Sequence, residues 1–307
     1  MPSGDHTFHE RVRAVHGLGA RAWLDDLPRV AERWRRYWAL GPLRPYSLSY
    51  HWVAAADRDD GTPCVLKLAP PGTPELVVEA RWLGRVGGRG AAVLLDADPE
   101  NGALLLERIE PGRPLATIVP DRDDEACEAI ATVAAAVRRP AATGLPTLAD
   151  RVTDLTRHRG AHPGDRDPLP PGIVAEAEHI GAELLRTAPP DVLLHGDLHH
   201  DNVLCGDNRG WLAIDPHGLV GDPAYELAPL LYNPMPLGPT AVALAERRCR
   251  RLAVATGISE ERIRGWGFVQ AVLSAVWSLD EDPAPDQHVL AVAERLRDRC
   301  GPRLATA

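Results

Sequence analysis

Apolar side chains near the start of the chain recur at helical spacing, with Val30, Ala31, Trp34 and Trp38 on one face. Asp25 and Asp26 ahead of Pro28 predict the start of that helix, and Gly41-Pro42 its end. The pattern turns extended over 46–56. Asp60-Gly61 then joins it to Cys64-Val65-Leu66-Lys67-Leu68, which predicts a β-hairpin with a polar loop. Thr73-Pro74-Glu75 opens a second helix, with the Thr73 hydroxyl as its cap, and this helix carries Leu76, Val77, Glu79, Ala80 and Leu83 to the break at Gly87-Gly88. Two strand-like runs, 91–96 and 103–109, flank the turn Pro99-Glu100-Asn101-Gly102.

After Glu110-Pro111-Gly112 the texture changes. Helical periodicity marks 121–139, 147–158, 172–187, 239–256, 259–281 and 286–300, separated by polar loops rich in Pro and Gly, while only 192–194, 203–205 and 211–215 read as strands. The order predicts an α+β fold of two lobes. A small mixed β/α lobe with a leading helix occupies 1–109, and a larger, mainly helical lobe occupies 110–307.

Composition narrows the function classes. Forty-three acidic against 34 basic residues leave a net charge of -9, the opposite of a nucleic-acid binder's basic footprint. No apolar run approaches the roughly 20 residues that span a bilayer, and Met1–His16 lacks the apolar core of a signal peptide. The five cysteines are odd in number and widely spaced, which points to reduced thiols in a cytoplasmic protein with no membrane partner and no evident obligate protein partner. The basic residues hold one anomaly: 33 of the 34 are Arg, and the single Lys is Lys67.

Chemistry concentrates in 192–226. Short apolar strands deliver Asp197, Asn202 and Asp215 at their ends, and Gly221-Asp222-Pro223-Ala-Tyr225-Glu226 follows. Two carboxylates and an amide oxygen suit a hard ion such as Mg²⁺ on phosphates, and a spare carboxylate suits proton abstraction from a hydroxyl.

His195-Gly-Asp197-Leu-His199-His-Asp-Asn202, then Ile214-Asp215 and Gly221-Asp222-Pro223, resembles the catalytic loop and metal-binding segment of the aminoglycoside phosphotransferase family, relatives of the protein kinases. The resemblance covers 46–282 in element order. It implies a bilobal protein-kinase-like fold, with ATP and Mg²⁺ as cofactors. Asp197 would be the catalytic base, Asn202 and Asp215 the metal ligands, and His195 a structural member of the loop. Lys67 would contact the ATP phosphates and be held by a Glu on the following helix, Glu79 in preference to Glu75. The phosphate-covering loop departs from the kinase pattern: Tyr46–His51 has no Gly motif, which leaves Ser47 and Ser49 as phosphate donors. The connector 106–109, with Glu107 and Ile109, would offer backbone groups to adenine.

Only five residues separate Asp215 from Gly221, too few for a protein kinase's activation loop, so a small-molecule acceptor is expected. The wording of 105–108, 211–216 and 219–223 is similar to the streptomycin 6-phosphotransferase and hydroxyurea phosphotransferase branch of the family. That implies phosphorylation of a hydroxyl of an aminoglycoside-type antibiotic, streptomycin first, or of hydroxyurea. Kinases of an amino alcohol or sugar are the alternative. Asp280 and Glu281, after the apolar stripe Trp266, Val269, Leu273, Val276 and Trp277, would favour a cationic acceptor, because carboxylates at a helix C-terminus oppose its dipole. Asp222, Tyr225 and Glu226 are further candidates for the acceptor pocket, Asp222 also as a brace of the loop. Two rivals stand against a kinase: a metal-dependent hydrolase built on the His/Asp run 195–201, and a non-catalytic binding module.

Lys67→Arg keeps the charge but replaces a slim ammonium with a planar fork. It should lose most ATP-dependent transfer activity, and native turnover in that assay would return Lys67 to an ordinary strand residue.

Overall fold

A computed structural model of the chain describes residues 8–9, 12–13, 20–46, 50–235, 240–279 and 284–298. It divides into two compact units, Met1–Gly112 and Arg113–Ala307.

In the first unit, helix α1 (Ala20–Tyr37) begins well before the expected start, and Pro28 lies inside it. The apolar stripe explains the difference. Ala20, Trp23, Leu24 and Leu27 extend it one further stretch toward the N-terminus, and their burial offsets the roughly 3 kcal/mol that an interior Pro costs. Strands β1 (Arg44–Pro45), β2 (Trp52–Asp57), β3 (Pro63–Leu68), β4 (Leu94–Asp98) and β5 (Ala103–Glu107) form one antiparallel sheet in the order β1-β2-β3-β5-β4. The expected hairpin is β2–β3, closed with Asp57 opposite Pro63, and Asp60 accepts the Thr62 N–H in its turn.

Alternation along β3 sorts its side chains by face. Cys64, Leu66 and Leu68 join Ala54, Ala56, Ala103 and Leu105 in a core with Trp23, Leu27 and Trp34 of α1. The opposite face carries Leu104, clustered with Leu76 of α2 (Pro74–Val86). Lys67 stands directly beside Leu104 in register, so the chain's one lysine belongs to the face that α2 covers. Gly87 ends α2 in the left-handed conformation, φ 60°. The Thr73 hydroxyl does not cap α2 as expected; it donates to Pro70 O at 2.7 Å, satisfying the tight turn before the helix.

The second unit contains α3 (Asp123–Val137), α4 (Leu148–Ala161), α5 (Ile173–Arg186), α6 (Ala241–Thr256), α7 (Glu260–Ser278) and α8 (Gln287–Arg297). Each falls within two or three residues of its expected span. Helix α7 is buried almost all round from Ile263 to Ala275, packed by α4, α5, α6 and α8, which is why it reads as apolar beyond a single stripe. Strand β6 (Pro111–Pro114) straddles the division between the units. Strands β7 (Val192–Leu194), β8 (Val203–Gly206) and β9 (Gly210–Ala213) match the short apolar runs, and β8–β9 is a hairpin. Sequence reading missed β10 (Leu219–Gly221), which pairs with β7; three residues, the last of them the Gly of Gly-Asp-Pro, carry too little periodicity to show. No helix among the described residues is long and apolar enough to cross a membrane.

A buried ion pair ties α3 to α6. Arg248, fully buried, donates to Asp123 Oδ1 at 2.6 Å and to Leu230 O at 2.6 Å, and also reaches Asn233 O. Removing one partner of such a pair leaves the other charge buried alone. Asp123→Ala should therefore cost about 3–5 kcal/mol in urea unfolding, and a change within a few tenths would show the pair to be unimportant.

Candidate functional site

In the first unit, Lys67 Nζ donates to Glu79 Oε2 at 2.6 Å, and both side chains are 5% exposed or less. Glu79 occupies a position in the buried stripe Leu76, Glu79, Leu83, Val86 that is otherwise apolar, whereas Glu75 is exposed. Glu107 is placed differently from expectation. Its N–H donates to Val93 O at 2.8 Å and its carboxylate accepts the Val93 N–H at 2.9 Å, so both clamp the approach to β4 instead of facing a ligand. Ile109 is buried. Ser47 and Ser49 lie outside the described residues, as do Asp280 and Glu281.

In the second unit, the loop after β7 is built by its own backbone. His195 is fully buried; its Nε2 lies 2.8 Å from Ile214 O, and its Nδ1 accepts the Asp197 N–H at 3.3 Å. Burial pushes its pKa down to about 4, so the ring is neutral with the proton on Nε2. Gly196 adopts φ 84°, and a Cβ there would meet Leu219 at 3.0 Å, so both the turn and the packing require glycine. The structure therefore places His195 as the resemblance implies, in a supporting position.

Glu226 sits beneath this loop. Its two carboxylate oxygens accept the N–H groups of His195 at 2.8 Å and Gly196 at 3.0 Å. Burial pushes its pKa up to about 7 against the pull of those two bonds. Asp222 and Tyr225 are likewise interior: both are essentially fully buried. Asp222 accepts Ala224 N–H at 2.9 Å and Arg262 Nε at 2.6 Å, and also takes the Trp266 indole N–H. Tyr225 donates to Gln270 and packs edge-on to Trp266 at 5.5 Å. The three residues were expected to line the acceptor pocket; the loop's unsatisfied N–H groups and the polar tips of α7 claim them instead.

Asp197 remains partly open, its side chain 25% exposed. Asn202 Nδ2 donates to Asp197 O at 3.0 Å and Oδ2 at 3.2 Å, and His199 Nε2 lies 3.5 Å from the same carboxylate. Burial works to raise the Asp197 pKa, but the hydrogen bond and charge of His199 outweigh it and hold the carboxyl well below the usual range. Asp197 is thus ionised and able to accept a proton.

The same hydrogen bonds orient Asn202. With its amide nitrogen tied to Asp197, its oxygen is turned the other way. The Ile214 N–H donates to Asn202 O at 2.9 Å, which fixes Asp215 beside Asn202 at the open end of the β8–β9 hairpin. Asp215 is exposed and holds φ 57°, a conformation a non-glycine residue keeps only under local compulsion. A carboxylate and an amide oxygen presented together are hard donors that fit a Mg²⁺-type ion. The hydrolase arrangement is not formed: among the described residues no three His, Cys, Asp or Glu side chains are grouped to hold a metal, and His195 and His200 are buried away from Asp197's open side.

Sequence reasoning missed Arg151 and His217. His217 Nε2 lies 3.8 Å from Asp197 Oδ2, and its Nδ1 is 3.3 Å from Arg151 NH1. His217 falls in the short gap between Asp215 and Gly221 and was not singled out, and Arg151, on α4, had no signal.

The model of the family described as aminoglycoside/hydroxyurea antibiotic resistance kinase matches residues 42–282. A streptomycin 6-kinase of Streptomyces glaucescens is 32% identical over 293 residues, covering 92% of each chain. A hydroxyurea phosphotransferase of Kitasatospora aureofaciens is 36% identical over 301 residues, 93% of this chain and 83% of that one. Among solved structures, the aminoglycoside phosphotransferase APH(4)-Ia in ternary complex with ADP and hygromycin B superposes with a TM-score of 0.63 at 17% identity, covering 90% of this chain and 98% of that one.

Relative to Glu226→Gln, the native protein should lose stability as pH rises from the ordinary glutamate value of 4.5 to about 7, because only the unfolded chain ionises freely in that window. The slope is at most about 1.4 kcal/mol per pH unit. Urea midpoints for the two proteins that stay parallel across the window would contradict the buried clasp.

Proposed function

The chain belongs to the aminoglycoside/hydroxyurea antibiotic resistance kinase family, and from that premise we propose that it transfers the γ-phosphoryl group of ATP to a hydroxyl of streptomycin or hydroxyurea, inactivating it. The observation that carries the reading is the ionised Asp197 held beside Asn202, with Asp215 fixed next to that amide.

In this reading residues 1–109 hold the nucleotide and 110–307 supply the base, metal ligands and acceptor site. Lys67, held by Glu79, neutralises charge on the phosphates. Ser47, Ser49 and the backbone at Ile109 complete the nucleotide's surroundings. Asn202 and Asp215 would hold Mg²⁺, which would supply charge stabilisation for the phosphates when bound. Asp197 orients the acceptor hydroxyl and takes its proton, and Asn202, by donating to Asp197, keeps that carboxylate in one position. Glu226 holds the loop from below through the His195 and Gly196 amides, so the base stands on a rigid turn. The relatives' names support an antibiotic acceptor. Dependence on ATP and the reduced thiols Cys64, Cys127 and Cys205 support a cytoplasmic location.

Asp197→Asn should lower kcat for ATP-dependent phosphorylation by about 10²–10⁴-fold with little change in nucleotide binding. A product assay by mass spectrometry with streptomycin and with hydroxyurea reads this directly. Near-native transfer by the variant would remove Asp197 as the base.

A further inference from the structure

A continuous line of side chains runs from α7 to the base within the second unit. The Arg151 guanidinium lies over the Trp277 ring at 5.1 Å, its NH1 is 3.3 Å from His217 Nδ1, and His217 Nε2 lies 3.8 Å from Asp197 Oδ2. The neighbouring α4 carboxylate, Asp154, is taken up by the Trp277 indole N–H at 2.9 Å and by Arg157. His217 therefore stands between the Asp197 carboxylate and a permanently charged fork.

Hydrogen-bond polarity along this line is also set. A guanidinium only donates, so His217 Nδ1 is the acceptor in that contact, and Nε2 is the ring nitrogen turned toward the Asp197 carboxylate. The imidazole thus turns one nitrogen to Asp197 and an acceptor to Arg151 from one small planar group. His217 is about half exposed, so this place is reachable from solvent.

Building on the phosphotransferase reading above, we propose that Arg151 is the acceptor-specificity residue, and that it selects a compact, neutral acceptor whose hydroxyl faces Asp197 while a carbonyl oxygen on the same planar group accepts from Arg151, in the place the His217 ring now fills. An N-hydroxy amide has this pattern, with its hydroxyl on the nitrogen next to the carbonyl; hydroxyurea is one. A bis-guanidinium acceptor such as streptomycin meets a like charge at the same point. In the reaction the bond between the γ-phosphorus and the β,γ-bridging oxygen breaks, the N-hydroxy oxygen bonds to that phosphorus, and its proton passes to Asp197, leaving ADP and the phosphorylated acceptor. Arg151 touches the carbonyl only, fixing which face of the acceptor is presented.

The test is steady-state kinetics of the full chain with ATP and Mg²⁺, using hydroxyurea, acetohydroxamic acid and streptomycin as acceptors. The expected result is a kcat/KM for the two N-hydroxy amides at least about tenfold above that for streptomycin. Arg151→Gln should raise the KM for the amides by about tenfold or more, the loss of one charged hydrogen bond, with the KM for ATP little changed. Arg151→Lys should restore part of that loss. Thermal unfolding of each variant, expected near the native midpoint, separates this effect from misfolding. Efficient phosphorylation of streptomycin with the amides left untouched, or an amide KM insensitive to Arg151→Gln, would overturn the inference and leave the kinase reading standing. Failure of all three acceptors to be phosphorylated would overturn both.

Discussion

The loop after β7 depends on one buried carboxylate. Two successive backbone N–H groups, from His195 and Gly196, point into the interior because the chain must turn sharply after β7, and Gly196 can make that turn only without a side chain. Left unsatisfied, each would cost about 1–3 kcal/mol. Glu226 accepts both, and it does so fully only as an anion that burial disfavours. The bend, the neutral His195 and the orientation of Asp197 all follow from that clasp. Asp222 repeats the device one step away, where it joins the 222–224 turn to Arg262 and Trp266 of α7.

The Lys67–Glu79 pair shows the same logic in the first unit. Burying both charges costs several kcal/mol per ion before their attraction is counted, so the pair is a weak device for stability alone. Its position is informative for that reason. A lysine interrupts an apolar strand, and a glutamate interrupts an apolar helical stripe, at the one register where the two faces meet. Either charge alone would be a defect, and together they form a preset cationic point.

Around Asp197 the electrostatics divide between groups that hold the base and groups that face its open side. His199 and Asn202 act within the loop and fix the carboxylate, while His217 and Arg151 approach from outside it. In the proposed reaction, a base surrounded in this way accepts a proton only from a hydroxyl brought to its free side. This makes the identity of the outer groups a matter of specificity more than of chemistry.

Much of this was legible from the chain itself. Periodicity located each helix from α1 to α8 to within a few residues, apart from the start of α1. There a Pro that ordinarily opens a helix sits within one, because Ala20 to Leu27 continue the buried stripe. The spacing of Asp197, Asn202 and Asp215 along two short strands singled out the loop after β7, and the lone lysine singled out β3. These are local signals: strand ends and turns place polar groups wherever the chain breaks, and their order survives in sequence. What Asp222, Tyr225 and Glu226 do was not local. Polar residues after a Gly-Asp-Pro turn look the same whether they face solvent, a ligand or two orphaned amides thirty residues upstream. Only the packing of β10 and α7 under the loop decided that they are braces. Arg151 reaches the site from a helix whose sequence shows nothing but amphipathicity, since a contact between α4 and a loop more than sixty residues later leaves no periodic trace.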